Sequence, residues 1–411
     1  MEMINSGDTA WVLASTALVM LMTPGLAFFY GGLVRRKNVL GVLMQCMIIL
    51  CVISLQWVLF GYSLAFGPGS QFLGGLSWAG LNGVGLEPNA DYAATIPHQA
   101  FMIFQMMFAV ITPALIIGAF AERMKFSAFL IFSILWATLV YDPICHWVWA
   151  VGGWIRNMGA LDFAGGTVVH INAGVAALVT ALVIGRRKGY EDKPTTIHNL
   201  PFTVLGAALL WFGWFGFNSG SALGAGALAT SAFVATHVAT AAAGLSWALI
   251  EWKVNGKPTI FGTVTGAVAG LVAITPAAGF VTPMGALIIG LLVSVFCFIA
   301  VGVIKPKLGY DDSLDAFGVH GIGGIWGALA TGLFATKTVN SAGADGFFYG
   351  NPGLFLIQLK AVVIVVVYCF VATFIIYKVI DLIMGVRVNE LDEAIGLDLT
   401  QHKEEAYTVL D

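Results

Sequence analysis

Two histidines set the problem this sequence poses. His170 stands in LDFAGGTVVHINAG and His320 in DAFGVHGIGG, each inside an apolar run and each with an acid ahead of it, Asp162 and Asp315. An ionisable side chain at membrane depth is costly unless it faces a partner or a water-filled space, so it marks a functional site by default. Neutral imidazole offers one donor and one acceptor. Two facing imidazoles can therefore hold or relay a proton while bonding a guest through the nitrogens left over. A lone buried histidine is explained equally well by a bond to a main-chain carbonyl; two at matching places in similar helices are not.

Helical spacing puts Gly166, Ala173, Gly174 and Ala177 on the face of His170, and Ala316, Gly323, Gly324 and Gly327 on that of His320. Small residues let helix backbones approach closely, and here they are expected to leave a narrow channel beside each imidazole. Metal binding is the competing chemistry, with His146 of DPICHWVWAVGG as a conceivable third ligand. No HExxH or other ligand spacing occurs, so neither a metal nor another cofactor is expected.

Aromatic residues form a second constellation. Phe104 and Phe108 are four apart, Trp149 closes another apolar run, and Trp214, Phe215 and Phe217 precede Ser219 and Ser221. Aromatic faces attract cations through their quadrupole, and a serine oxygen accepts from an N–H donor. An interfacial aromatic belt with ordinary core packing accounts for the same residues.

These groups need a bilayer around them. Of 411 residues, 59% are hydrophobic and 10% charged, where about a quarter charged is usual for soluble domains. Mean hydropathy is +0.89. The expected fold is an all-α polytopic membrane protein of eleven transmembrane helices, at 9–33, 41–66, 98–122, 127–149, 165–185, 200–219, 227–252, 260–279, 283–304, 317–336 and 353–384. Alternate connections carry the basic residues: Arg35, Arg36 and Lys37; Arg123 and Lys125; Arg186, Arg187, Lys188 and Lys193; Lys253 and Lys257; Lys305 and Lys307. The remaining loops hold only Arg156 and Lys337. This places the N-terminus outside and the tail inside, dividing the chain into a transmembrane domain, 1–384, and a cytoplasmic regulatory tail, 385–411. The outer 67–97 loop has Glu87 and Asp91 and no Lys or Arg, so it does not repel cations.

Phe28–Gly32 in the first span and Phe215–Gly220 in the sixth look alike, as do the surroundings of His170 in the fifth and His320 in the tenth. Five spans separate each pair. That spacing implies an inverted repeat of helices 1–5 and 6–10, with helix 11 added and the site between the halves. The five cysteines lie singly in apolar runs and read as small buried hydrophobes. The N-terminus lacks the positive region of a cleavable signal. No basic patch suggests nucleic acid, and no GxSxG or other nucleophile–base set suggests an enzyme.

The motifs AFFYGGLVRRKN, FAVITPALIIGAFAERMKF, GGTVVHINAG, WFGWFGFNSGS and DAFGVHGIGGIWGAL closely resemble those of the ammonium transporter family (Amt/Mep/Rh), in order and over essentially the whole chain. The resemblance implies a homotrimer in the cell membrane with a separate pore through each subunit. Trp149, Phe108 and Ser221, with Phe104 alongside, correspond to an outer ammonium recruitment site, and Phe108 and Phe217 to the gate beneath it. His170 and His320 correspond to the pore pair that relays protons, Trp214 to the pore wall, and Asp162 to an acid that supports the outer site without touching ligand. Ser219 stands where many members have alanine, and one extra residue separates Trp149 from Asp162. The tail, with GLD at 396–398, resembles the segment through which PII-type signalling proteins exert control.

The implied substrate is ammonium or ammonia, with methylammonium as a congener. Ammonium and potassium match in charge and approximate size, but ammonium is a directional hydrogen-bond donor and an acid. A narrow apolar pore penalises any desolvated ion. Ammonium that gives up its proton at the gate can cross as ammonia, and a separately conducted proton makes uptake electrogenic. The alternative is an ammonium sensor of the same fold with little flux.

Overall fold

The computed structural model describes residues 4–190 and 197–407. Lys193 and the extreme ends of the chain lie outside the described residues. Among the described residues, ten helices are long and apolar enough to cross a membrane: α1 (Ser6–Leu33), α2 (Arg36–Phe66), α3 (His98–Phe120), α4 (Phe126–Asn157), α5 (Gly166–Ile184), α6 (Leu200–Gly220), α7 (Ala227–Asn255), α9 (Pro283–Leu308), α10 (Phe317–Phe334) and α11 (Pro352–Met384). The eighth expected span is shorter than the sequence suggests. α8 (Ile260–Ile274) has 15 residues and stops ahead of Pro276, which has no N–H to continue the helix, and the chain turns there.

Local chemistry sets the other ends. Asn5 accepts from Asp8 N to start α1, Asn199 from Phe202 N to start α6, and Thr259 and Thr282 cap α8 and α9. Five spans contain a π-helical stretch: Trp57–Gly61, Ala137–Tyr141, Gly166–Ile171, Ala300–Ile304 and Phe317–Gly321. Such wide turns recur at functional sites because they re-aim side chains. Two of the five carry His170 and His320.

α1 packs along α6, where a Cβ on Gly206 would meet the backbone of Gly25 and Phe29. α5 crosses α10 still more closely: a Cβ on Gly174 would overlap the Gly321 backbone. The small residues beside the histidines thus do something other than expected. Gly174 and Gly324 bring helix backbones into contact, and Gly166 and Gly327 admit Pro276 and Ala273. They seat α5, α8 and α10 against one another, while Ala316 lines one of the cavities beside His320.

One end of the bundle gathers the basic loops. Glu122 accepts from Arg35 Nε at 2.8 Å and from Arg187 Nη1 at 3.3 Å, while Arg187 grips Asp311 with Nε and Nη2, both at 2.9 Å. Burial alone would raise the Asp311 carboxyl, but these partners and Arg123 hold it below its ordinary value. The tail helices α12 (Glu390–Ile395) and α13 (Leu397–His402) dock on the same end. Asp398 accepts from Gly41 N at 2.7 Å, and Glu393 accepts from Lys188 N at 2.6 Å and Arg387 Nη2 at 2.8 Å. At the opposite end the 67–97 loop carries a small antiparallel pair, β1 (Pro88–Asn89) and β2 (Ala93–Pro97).

Candidate functional site

A line of side chains runs through the bundle from the 67–97 end. It begins at a cavity of about 160 Å³ whose wall includes Phe101, Gln105, Trp149, Phe163 and Ser221. Trp149 is the last residue of the continuous part of α4 and donates its indole N–H to the main-chain oxygen of Asp162 at 2.9 Å. Ser221 donates its hydroxyl to Phe217 O at 2.8 Å, which leaves its oxygen lone pairs free to accept from a guest.

Beneath the cavity the aromatic rings close. Phe108 meets Trp149 edge-on at 5.6 Å and Phe217 at 4.4 Å between centroids. Phe104 is fully buried behind Phe108, edge-on at 5.0 Å, and is not part of the cavity wall. Phe217 then overlies His170 at 5.9 Å, and Trp214 stacks on the same imidazole at 5.3 Å with its indole N–H on Thr275 Oγ1 at 2.8 Å.

The two imidazoles lie nearly parallel, 17° apart, with their Nδ1 atoms 3.3 Å from each other. That distance requires one Nδ1 to donate and the other to accept, so the pair shares one proton along its axis. His170 Nε2 is buried without a partner. It is free to bond a guest.

Two small cavities flank His320. One, of about 10 Å³, lies among Met22, Ile111, His170, Trp214 and Phe217; the other, of about 20 Å³, lies among Phe29, Phe261, Thr265 and Asp315. Each is close to the space a single water-sized molecule needs, about 10–15 Å³. Their walls are largely apolar, so a small neutral molecule is accommodated where a hydrated ion is not.

Asp162 anchors the construction. Its carboxylate accepts from Gly165 N, Gly166 N, Thr167 N and Val168 N at 2.7–3.3 Å and from the Thr167 hydroxyl, capping α5 just before the π-helical turn that carries His170. Gly165, with φ at +113°, makes that turn possible. Burial pushes the Asp162 carboxyl up, and these donors pull it back.

The counterpart in α10 is Asp312 and not Asp315, the acid nearer His320 that the sequence suggested. Asp312 accepts from Ala316 N at 3.1 Å and Phe317 N at 2.7 Å, whereas Asp315 pairs with Lys305 at 2.5 Å. Equal spacing was the available signal: Asp162 and Asp312 each stand eight positions before their histidine. Gln105 was also not singled out. Its amide oxygen is buried without a partner, and the residue lines the first cavity.

Other residues of the constellation turn away. Ser219 donates to Ala229 O at 2.7 Å and ties α6 to α7, and Phe215 stacks on Phe233 at 3.9 Å. The ring nitrogens of His146 lie 3.0 Å from Ala65 O and 2.8 Å from Ser70 O, which fastens the 67–97 end.

Comparison with known proteins matches this arrangement to a family. The model described as "Ammonium Transporter Family" matches residues 10–407. The "Ammonium transporter" of Bacillus subtilis (strain 168) is 57% identical over 404 residues, covering 98% of this chain and 99% of that protein. "Ammonium transporter Amt1" of Archaeoglobus fulgidus is 49% identical over 407 residues, 98% and 100% of the two chains. Among solved structures, Candida albicans Mep2 superposes with a TM-score of 0.90 at 36% identity over 98% of this chain and 90% of that one. A structure described as "Sensor Amt Protein" gives 0.89 at 29% identity, over 96% and 98%.

Proposed function

The chain belongs to the Ammonium Transporter Family and is a multi-pass membrane protein, and on that premise we propose that it carries ammonium across the cell membrane as ammonia and a proton. Ammonium sheds water in the cavity against Trp149, above the Phe108 ring, and donates to Ser221. On passing the Phe108–Phe217 pair it gives up its proton to the unpartnered Nε2 of His170, and ammonia passes through the two small cavities beside His170 and His320, with Trp214 as the wall. The proton follows through the shared imidazole pair, so uptake is electrogenic. Methylammonium, the same donor with one methyl, is a congener for the same route.

The observation that carries this reading is the 3.3 Å contact of two buried imidazoles set between apolar cavities of single-molecule size. Potassium has no neutral form with which to use them. Currents recorded from purified protein in vesicles on a solid-supported membrane test it: ammonium pulses evoke current and potassium pulses do not.

The orientation proposed is N-terminus out and tail in, with eleven spans and the inverted repeat 1–5 and 6–10. The charge alternation, the equal spacing of Asp162 and Asp312, and the paired π-helical turns support it. The chain divides at the end of α11 into transporter domain and cytoplasmic tail, and a PII-type partner is proposed to act on that docked tail. Assembly as a homotrimer is supported by His237, exposed in the middle of α7 beside Trp211; an imidazole facing lipid is disfavoured. A sensor with little flux is the second reading, favoured by the docked tail and the likeness to the "Sensor Amt Protein" structure. Removing the tail distinguishes them, since a pure sensor shows no flux either way.

A further inference from the structure

The cavity above Phe108 contains an oddity for a site that receives a cation. Its wall includes one acid, Asp91, and one base, Arg156. Arg156 sits in the short helical turn Trp154–Asn157 at the end of α4, past the break after Trp149. From there it reaches back to the main-chain oxygen of Trp149, 2.6 Å from Nη1. Trp149 is thereby held twice, by its carbonyl on Arg156 and by its indole N–H on Asp162. The same guanidinium that secures the aromatic wall brings a permanent positive charge to the space where the cation must stand.

We propose that Arg156 sets the affinity of this vestibule for ammonium: its charge opposes the bound cation and offsets Asp91, while its hydrogen bond holds Trp149 in place. The inference rests on the recruitment site proposed above. Because both side chains are exposed, water weakens the effect and salt screens it. Two unit charges several ångströms apart at an exposed site change a binding constant by roughly two- to five-fold, and the effect fades as the screening length falls to about 8 Å at physiological ionic strength.

The test is the ammonium concentration dependence of the current for the wild type, Arg156→Gln, Arg156→Lys and Asp91→Asn, each at low and high salt. Arg156→Gln is expected to tighten the half-saturating concentration about two- to five-fold at low salt, with the gap closing at high salt. Arg156→Lys keeps the charge and stays near the wild type, and Asp91→Asn shifts the other way. A purely structural Arg156 gives weaker affinity in both Arg156 variants at every salt concentration, and that result overturns the proposal. So does an Arg156→Gln affinity equal to the wild type at low salt. A wild type that gives no ammonium current contradicts the recruitment site itself; a working wild type with an indifferent Arg156 contradicts this inference alone.

Discussion

The indole N–H of Trp149 ends on the main-chain oxygen of Asp162, 2.9 Å away, and the carboxylate of that same Asp162 caps the helix that carries His170. One residue therefore fixes both the aromatic wall of the outer cavity and the first imidazole of the buried pair. Replacing its side chain removes the cap on the His170 helix and leaves the main-chain oxygen that holds Trp149. Asp162→Ala leaves several buried N–H groups without an acceptor, and a lost cap with unsatisfied donors costs about 2 kcal/mol or more. Thermal unfolding in detergent should show that loss, with Asp162→Asn intermediate, and the ammonium current should fall in the same order. An Asp162→Ala protein with full current would separate the cap from the site.

Asp312 gives a pH signature. Burial pushes its carboxyl up to about 6, against the opposing pull of Lys305. In the unfolded chain the group titrates near about 3.9, so between these values the folded state holds a proton that the unfolded state does not. This contribution to stability is full below the unfolded value and is lost as pH rises through about 6. Unfolding measured from pH 4 to 7 should show a smaller decline in Asp312→Asn than in the wild type. Parallel profiles would mean that Asp312 is already ionised across the range.

The Phe108–Phe217 contact at 4.4 Å seals the vestibule from the first small cavity. Phe217→Ala opens that seal and costs about 3–5 kcal/mol of core packing. The expected phenotype is ammonium current retained in part with a new potassium current, read in the same vesicles. Unchanged exclusion of potassium would assign selectivity to the stretch below the gate.

Gly174 lies where α5 meets the Gly321 backbone. Gly174→Val must push α5 from α10 and lengthen the His170–His320 contact of 3.3 Å. Overpacking of this kind costs about 1–3 kcal/mol. Transport should fall more than stability does, and equal, small losses in both would show that the imidazole spacing is not critical.

Much of the architecture was legible because lipid allows few solutions. Apolar runs of bilayer length and alternating basic loops located the helices, with every end but that of α4 within five residues, and Pro276 explains why α8 ends early. The histidine pair was legible because burying an imidazole twice at matching positions is hard to excuse. What could not be read was fine geometry. The segments around His170 and His320 are apolar on all sides, so no periodicity betrays a π-helical turn, and helical spacing misjudged where Gly166, Gly174, Gly324 and Gly327 face. Ser219 and Ser221 differ by two positions, and one bonds across to α7 while the other lines the vestibule. Asp312 was hidden behind Asp315, which is nearer in sequence but is bound to Lys305.

The most direct test compares wild type with His170→Leu, His320→Leu and the double variant in sealed vesicles on a solid-supported membrane. Ammonium and potassium pulses are applied at matched ionic strength, and folding is verified by thermal unfolding. The account predicts an ammonium current and no potassium current in the wild type. It predicts that folded double-variant protein loses the ammonium current or admits potassium. A folded wild type with no ammonium current, or a double variant with current and selectivity intact, would contradict it.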